Sequence, residues 1–431
     1  MTILFANFLV YLLWLVWAMK KNKWHIDVFC LVLSFYVLIS FLGFFTCVMG
    51  IYQNTFGNKD WENLSVVPYV MALMCTFLFL IPLRSWKISQ IIPDVSPYVS
   101  FFSRVSFVLL FIFAAQAVLS MMNANVSNLD YADVYNDAAA GTATSFKSGV
   151  TNFVYSKVIA LARVGAPFFY IFQCLLLVQT KKIKHIIMIL VAYLLLLVPL
   201  ILTANRGGMF FSTADIIFFV VLFWPNISKK MKRVFFVCLI GIFVVMSSFA
   251  IAISSARFDQ MKMTNGTEQI FRYFGEAYPN LGFNIWGKNI KHPYGSRMFP
   301  NYSALFTGVN LSKNYKSGRN ASFYYWERYV GIPMLNFKTL FGDLYIEFGV
   351  VGTWFVALLW LLLLRILKKR RGIIGSIIVV FFAYQTCIWG LFGSNLSEQY
   401  LTTILYTVIL LWLWKKTNLG KIRPDDKKVL I

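Results

Sequence analysis

The sequence predicts an all-α polytopic membrane protein with about eleven transmembrane helices and one long extracytoplasmic loop, and three observations carry that prediction. Hydrophobic residues make up 59% of the 431 positions and charged residues only 13%, about half the charged share of a soluble domain. About eleven apolar runs approach the roughly 20 residues needed to cross a bilayer. Short Lys/Arg clusters fall at alternate junctions between those runs, as they do when they stay on the cytoplasmic side. The net charge of +23 would point to nucleic acid in a soluble chain. Here orientation in the membrane accounts for it, and no nucleic-acid partner is expected.

Taken in order, the first run (3–19) lacks a basic leader and a small-residue cleavage site, so it reads as a retained helix rather than a signal peptide. Lys20, Lys21 and Lys23 follow it on the inner side. The second run (26–51) leads to an outer loop with Asp60 and Glu62, and the third (66–83) returns to Arg84, Lys87 and Arg104. The fourth (105–122) opens on an outer loop with Asp130, Asp133 and Asp137. The fifth (150–179) is long for one span and carries Lys157 and Arg163, which suits a helix that starts along the interface before crossing. It ends at Lys181, Lys182 and Lys184.

The sixth run (186–203) and the seventh (209–224) are joined by the tight turn Ala204-Asn205-Arg206-Gly207-Gly208, which puts Arg206 on the outer face. Lys229, Lys230, Lys232 and Arg233 are then inside, and the eighth run (234–254) delivers the chain into the long loop. The ninth (344–367) returns to Lys368, Lys369, Arg370 and Arg371, and the tenth (373–392) and eleventh (400–414) leave a basic tail inside. The expected organisation is 1–254 for helices one to eight, 255–342 for a periplasmic loop subdomain, and 343–431 for the last three helices and the tail. All six cysteines fall inside apolar runs with no paired spacing, which suits packing and indicates neither a disulfide framework nor a metal site.

The segment 257–343 is the one long polar stretch. It holds eleven Lys/Arg, five Asp/Glu and nineteen Phe/Tyr/Trp. Cations suit phosphate or pyrophosphate, and flat aromatic faces suit sugar rings or a membrane surface. The plainer reading is a loop that packs its aromatics into a subdomain and lays its cations on headgroups. No Ser-His-Asp spacing, Walker-type loop or zinc-ligand cluster occurs in it, so no metal and no cofactor is expected. Arg163 and Asp215 fall at comparable depth in their spans, where charges are expensive unless paired or functional. An ion pair between them and a ligand role for Arg163 are both open.

The turn Leu202-Thr203-Ala204-Asn205-Arg206-Gly207-Gly208, the long outer loop before one of the last spans, and the run Phe341-Gly342-Asp343-Leu344-Tyr345-Ile346-Glu347-Phe348-Gly349-Val350-Val351-Gly352 together resemble the Wzy-type O-antigen repeat-unit polymerases of bacteria. The O-antigen ligases are similar in layout. The resemblance implies a multi-pass glycosyltransferase of the bacterial inner (cytoplasmic) membrane with its active site on the periplasmic face. Such an enzyme joins repeat units carried on undecaprenyl pyrophosphate, contacts membrane lipid, and has a chain-length regulator protein as a further partner.

On that reading Arg163, Arg206, Arg257, Arg272 and Arg297 are the candidates to hold pyrophosphate, because guanidinium groups make two-pronged phosphate contacts. Tyr273, Tyr278 and Trp286 are the candidates to stack on sugar. His292 is the one outer histidine and the first candidate for general base; the resemblance to the ligases points the same way. Asp343 and Glu347, one helical turn apart, are the rivals. His292 as an ordinary loop residue and Asp343 as a helix cap are the plainer alternatives. A ligase or other lipid-linked glycosyltransferase is the competing enzyme. A lipid-linked oligosaccharide flippase is the competing transporter, although no internal repeat supports it.

Overall fold

A computed structural model describes residues 1–57, 64–84, 95–123, 149–203, 205–260, 266–311, 319–334, 337–368 and 373–416. Asp60, Glu62, Lys87, Asp130, Asp133, Asp137, Ala204 and the basic tail, on which parts of the sequence reading rest, lie outside them. The regular structure of the described residues is helical, with no strand among them. This follows from the composition: in an apolar run surrounded by hydrocarbon, only a helix satisfies every backbone donor and acceptor from within its own segment.

Nine helices among the described residues are long and apolar enough to cross a membrane, one for each of the first nine expected spans. The spanning-length helices are α1 (Thr2–Lys21), α2 (Val28–Val48), α4 (Val67–Arg84), α5 (Val99–Asn123), α6 (Gly149–Thr180), α7 (Lys184–Leu202), α8 (Arg206–Phe223), α9 (Lys229–Gln260) and α14 (Leu340–Lys368). Between them lie the short α3 (Ile51–Phe56), then α10 (Gly266–Gly275), α11 (Ala277–Asn280), α12 (Pro300–Thr307) and α13 (Arg319–Val330). The chain closes with α15 (Ile373–Trp389), a shorter apolar helix of 17 residues, and α16 (Glu398–Lys416). Side-chain caps mark two of the starts. Asp27 accepts from the Cys30 amide at 2.8 Å at the head of α2, and Asn205 accepts from the Gly208 amide at 2.9 Å at the head of α8, each satisfying one orphan donor of a first turn.

The contacts group the chain into two compact units. One comprises Met1–Ser85, Arg257–Ile366 and Ala383–Leu401. In it α1 and α2 meet through aromatic pairs, Phe5 with Phe44 at 5.1 Å and Tyr11 with Tyr36 at 5.4 Å between ring centroids. The start of the polar segment packs directly on these helices. At Gly275 an added Cβ would stand 2.6 Å from the Leu42 carbonyl oxygen, so only glycine permits this approach of α10 to α2. Tyr52 donates to Asn280 at 2.8 Å, and Tyr69 donates to the Tyr278 carbonyl at 3.2 Å.

The other unit comprises Trp86–Ala256, Leu367–Phe382 and Thr402–Ile431. Its core is again aromatic, with Phe102 stacked on Phe172 at 4.7 Å and Phe218 against Phe381 at 5.3 Å. Two polar pairs lie inside it, His185 with Gln173 at 2.9 Å and Tyr193 with Thr213 at 2.6 Å. Of the six cysteines, five are buried and none is paired.

Candidate functional site

Three acidic side chains, Asp343, Glu347 and Glu398, tie 295–301 to helix heads, and a fourth, Glu276, ties the polar segment to itself. Glu276 accepts from the Phe337 amide at 3.2 Å and meets Arg272 at 3.5 Å. Glu398, in the first turn of α16, takes both the backbone amide of Asn301 at 2.9 Å and its side-chain amide at 2.8 Å. Asp343 and Glu347 lie on one face of the first turns of α14 and hold Arg297 between them. Arg297 Nη2 donates to Asp343 Oδ1 and Nε to Glu347 Oε2, each at 2.8 Å. Glu347 is fully buried, and its second oxygen accepts from the amides of Gly295, Arg297 and Met298 at 2.9, 3.2 and 3.4 Å. The second oxygen of Asp343 accepts from the Ser394 amide at 2.8 Å.

One guanidinium against two carboxylates leaves this trio at a net −1. Burial pulls against the charge on Arg297, but the two carboxylates outweigh it and hold its pKa above the ordinary value, so it stays charged. Beside it, Lys338 is buried, donates to the Met334 carbonyl at 2.9 Å, and is pushed down to about 8 by that burial against the pull of Asp343. Burial likewise pushes Glu276 up to about 7, with Arg272 opposing.

Helix α14 is broken at Gly349, where φ is 71° and ψ −175°. That backbone region is essentially open to glycine alone. A break removes the amides that would have closed the preceding turn, and the polar segment supplies replacements. His292 Nδ1 lies 2.9 Å from the Ile346 carbonyl, and the Tyr294 amide donates to the Glu347 carbonyl at 2.9 Å. A carbonyl oxygen can only accept, so Nδ1 carries the proton and neutral imidazole keeps its lone pair on Nε2. A Cβ at position 349 would stand 3.4 Å from Nε2, so any side chain there would press against that nitrogen. Around the half-buried imidazole run Tyr294 at 5.8 Å and Tyr345 at 5.7 Å; Tyr345 continues to Trp286 at 5.3 Å and Phe341 at 5.9 Å. Tyr294 is 71% exposed. The arrangement offers a proton acceptor beside an aromatic shelf with an open edge.

Of the residues singled out from sequence, His292, Arg297, Asp343, Glu347 and Trp286 come together in this unit. Arg297 is taken up by its two carboxylates and is not presented as a free cation. Arg272 is engaged with Glu276, and Tyr273 stands edge-on to Phe337 at 4.4 Å. Tyr278 is corrected: at 1% exposure its ring lies among Tyr11 and its neighbours, so it packs and has no face for a sugar. Arg163 is exposed on α6. The side chains of Arg206 and Arg257 lie outside the description. Gly349, Tyr345, Tyr294 and Ser394 were not singled out from sequence. Only Gly349 left a signal, a glycine two residues past a paired acidic motif inside an apolar run.

The family model described as O-antigen polysaccharide polymerase Wzy covers residues 1–290, about two thirds of the chain, and so stops just before His292. No curated protein and no solved structure matches.

Proposed function

The chain belongs to the O-antigen polysaccharide polymerase Wzy family, and from that premise we propose that it transfers a growing glycan from undecaprenyl pyrophosphate to a hydroxyl of the incoming lipid-linked repeat unit, with His292 as general base. The acceptor O–H gives its proton to His292 Nε2 while its oxygen forms the bond to the anomeric carbon. The bond from that carbon to the pyrophosphate oxygen breaks, and the electron pair leaves with the pyrophosphate. The observation that carries the assignment is the 2.9 Å contact from Nδ1 to the Ile346 carbonyl, which fixes the tautomer a base requires.

Arg297, Asp343 and Glu347 serve in this reading as positioning residues. Glu347 gathers the amides of 295, 297 and 298 and so sets the path of the loop beginning at His292, and a fully buried carboxylate bonded on both oxygens is poorly placed to take a proton from a substrate. Trp286, Tyr345 and Tyr294 form the shelf for a sugar ring, whose apolar face stacks on aromatic surfaces. Arg206 remains the proposed pyrophosphate contact. The site faces the periplasmic side of the inner membrane, where every short Lys/Arg cluster is absent.

The test of the reaction class is a strain lacking this protein. A polymerase lesion leaves flipping and ligation intact, so its lipid A core should carry a single repeat unit, seen as one band above core. Bare core would indicate a ligase or flippase and remove the polymerase reading.

A further inference from the structure

We propose that α12 and the residue after its cap form a wedge that sits in the bilayer surface on the side from which the polar segment projects. This claim stands apart from the catalytic assignment. Leu305 is 79% exposed and Phe306 90%, with Tyr302 at 38% and Val309 at 55%. At helical spacing Tyr302, Leu305 and Phe306 share one face, and Val309 follows the left-handed Gly308 cap. On the flank of that face the Ser303 and Ser296 hydroxyls meet at 3.0 Å. The fourteen residues 298–311 carry no charged side chain, within a segment that is otherwise strongly basic.

What lies opposite this face follows from its depth. The residues leading into α12 are bonded to the heads of two apolar helices. Gly295, Arg297 and Met298 bind Glu347 in α14. Asn301 is held twice by Glu398 in the first turn of α16, and the Glu398 amide returns a bond to the Met298 carbonyl at 2.9 Å. Asn310 closes the far end onto Asn301 at 2.9 Å. Helix α12 is therefore tied to the head of α14, one of the helices long and apolar enough to cross a membrane, and to the head of α16, which fixes it at the level where α14 emerges from the bilayer. There an uncharged face of Tyr302, Leu305 and Phe306 meets lipid, with its apolar side chains reaching about 5–10 Å into the headgroup and acyl boundary. Tyr302 suits that boundary, having an apolar ring and a polar tip.

The wedge would hold the segment from His292 to Arg297 close to the plane of the lipid headgroups. A nitroxide scan of the full-length protein in nanodiscs tests it. Single cysteines replace Leu305 or Phe306, with Tyr324→Cys on α13 as the control, in a background whose six native cysteines are substituted and which still forms polymer in cells. Oxygen concentrates in lipid and a nickel chelate stays in water, so the oxygen-to-nickel accessibility ratio at 305 and 306 should exceed that at 324 by about threefold or more. Ratios at 305 and 306 as low as that of a nitroxide free in water would place the face in water and overturn the proposal. Low accessibility to both relaxants at 305 and 306 would show it covered by protein, a second copy or another partner, and would overturn it equally.

Discussion

Replacing Glu347 by glutamine keeps the side chain's shape and removes its charge, and neither orientation of the new amide satisfies the surroundings. With the amide oxygen toward Gly295, Arg297 and Met298, the amide NH2 faces the Arg297 Nε–H; flipped, it faces three backbone donors. Losing one charge-assisted hydrogen bond in a fully buried place costs about 1.5–3 kcal/mol. Truncation to alanine leaves three amides and half of the Arg297 pairing uncompensated, about 3–5 kcal/mol by analogy with broken buried ion pairs. At about 2 kcal/mol, Glu347→Gln should lower the melting temperature by about 4 °C, and Glu347→Ala should lower it further. A thiol-reactive dye in detergent reads this directly, because five of the six cysteines become reactive only when the helices come apart. If Glu347→Gln melts within a degree of the parent, the carboxylate is not anchoring the loop. The proton-acceptor role would then return to it as a candidate.

Gly349→Ala should cost about 1–3 kcal/mol through backbone strain and reduce polymer sharply at unchanged protein level, since a continuous helix would reclaim the Ile346 carbonyl; normal ladders on a gel would refute that. Glu276, with its pKa raised to about 7, contributes stability that is full below its unfolded value and lost as pH rises through 7. Melting temperature should therefore fall between pH 5 and 7.5, and Glu276→Gln should flatten the slope; a slope that survives the substitution would assign it elsewhere. Arg206→Lys should lose most polymer despite keeping its charge, because a single ammonium cannot make the two-pronged contact, whereas a normal ladder would mean that it only snorkels. A single cysteine at Asn320 should react with an impermeant thiol reagent in spheroplasts and one at Ser228 should not; labelling at 228 would invert the map.

The spans were legible because bilayer crossing imposes length and apolarity locally, and residues 229–260 or 149–180 display both without reference to anything distant. The common face of Asp343 and Glu347 was legible for the same reason, being an i, i+4 relation. Their shared partner was not: Arg297 lies 46 and 50 residues away, and in sequence it looked like one more loop cation for a phosphate. Tyr278 misled for the opposite reason. In a segment with nineteen aromatics, composition cannot separate a ring that packs under Tyr11 from one that stands open like Tyr294. The Gly349 break was visible only as a glycine in an apolar run, and its meaning needed the loop that fills the vacated carbonyls.

The most direct measurement uses purified protein in nanodiscs supplied with lipid-linked repeat unit, with product length resolved on a gel. The parent should build a ladder. His292→Gln should leave the single unit unextended while melting at the parent's temperature, because it removes the free Nε2 lone pair and leaves the Arg297 clamp in place. A ladder of parental length and rate from His292→Gln would contradict the assignment of His292 as the base.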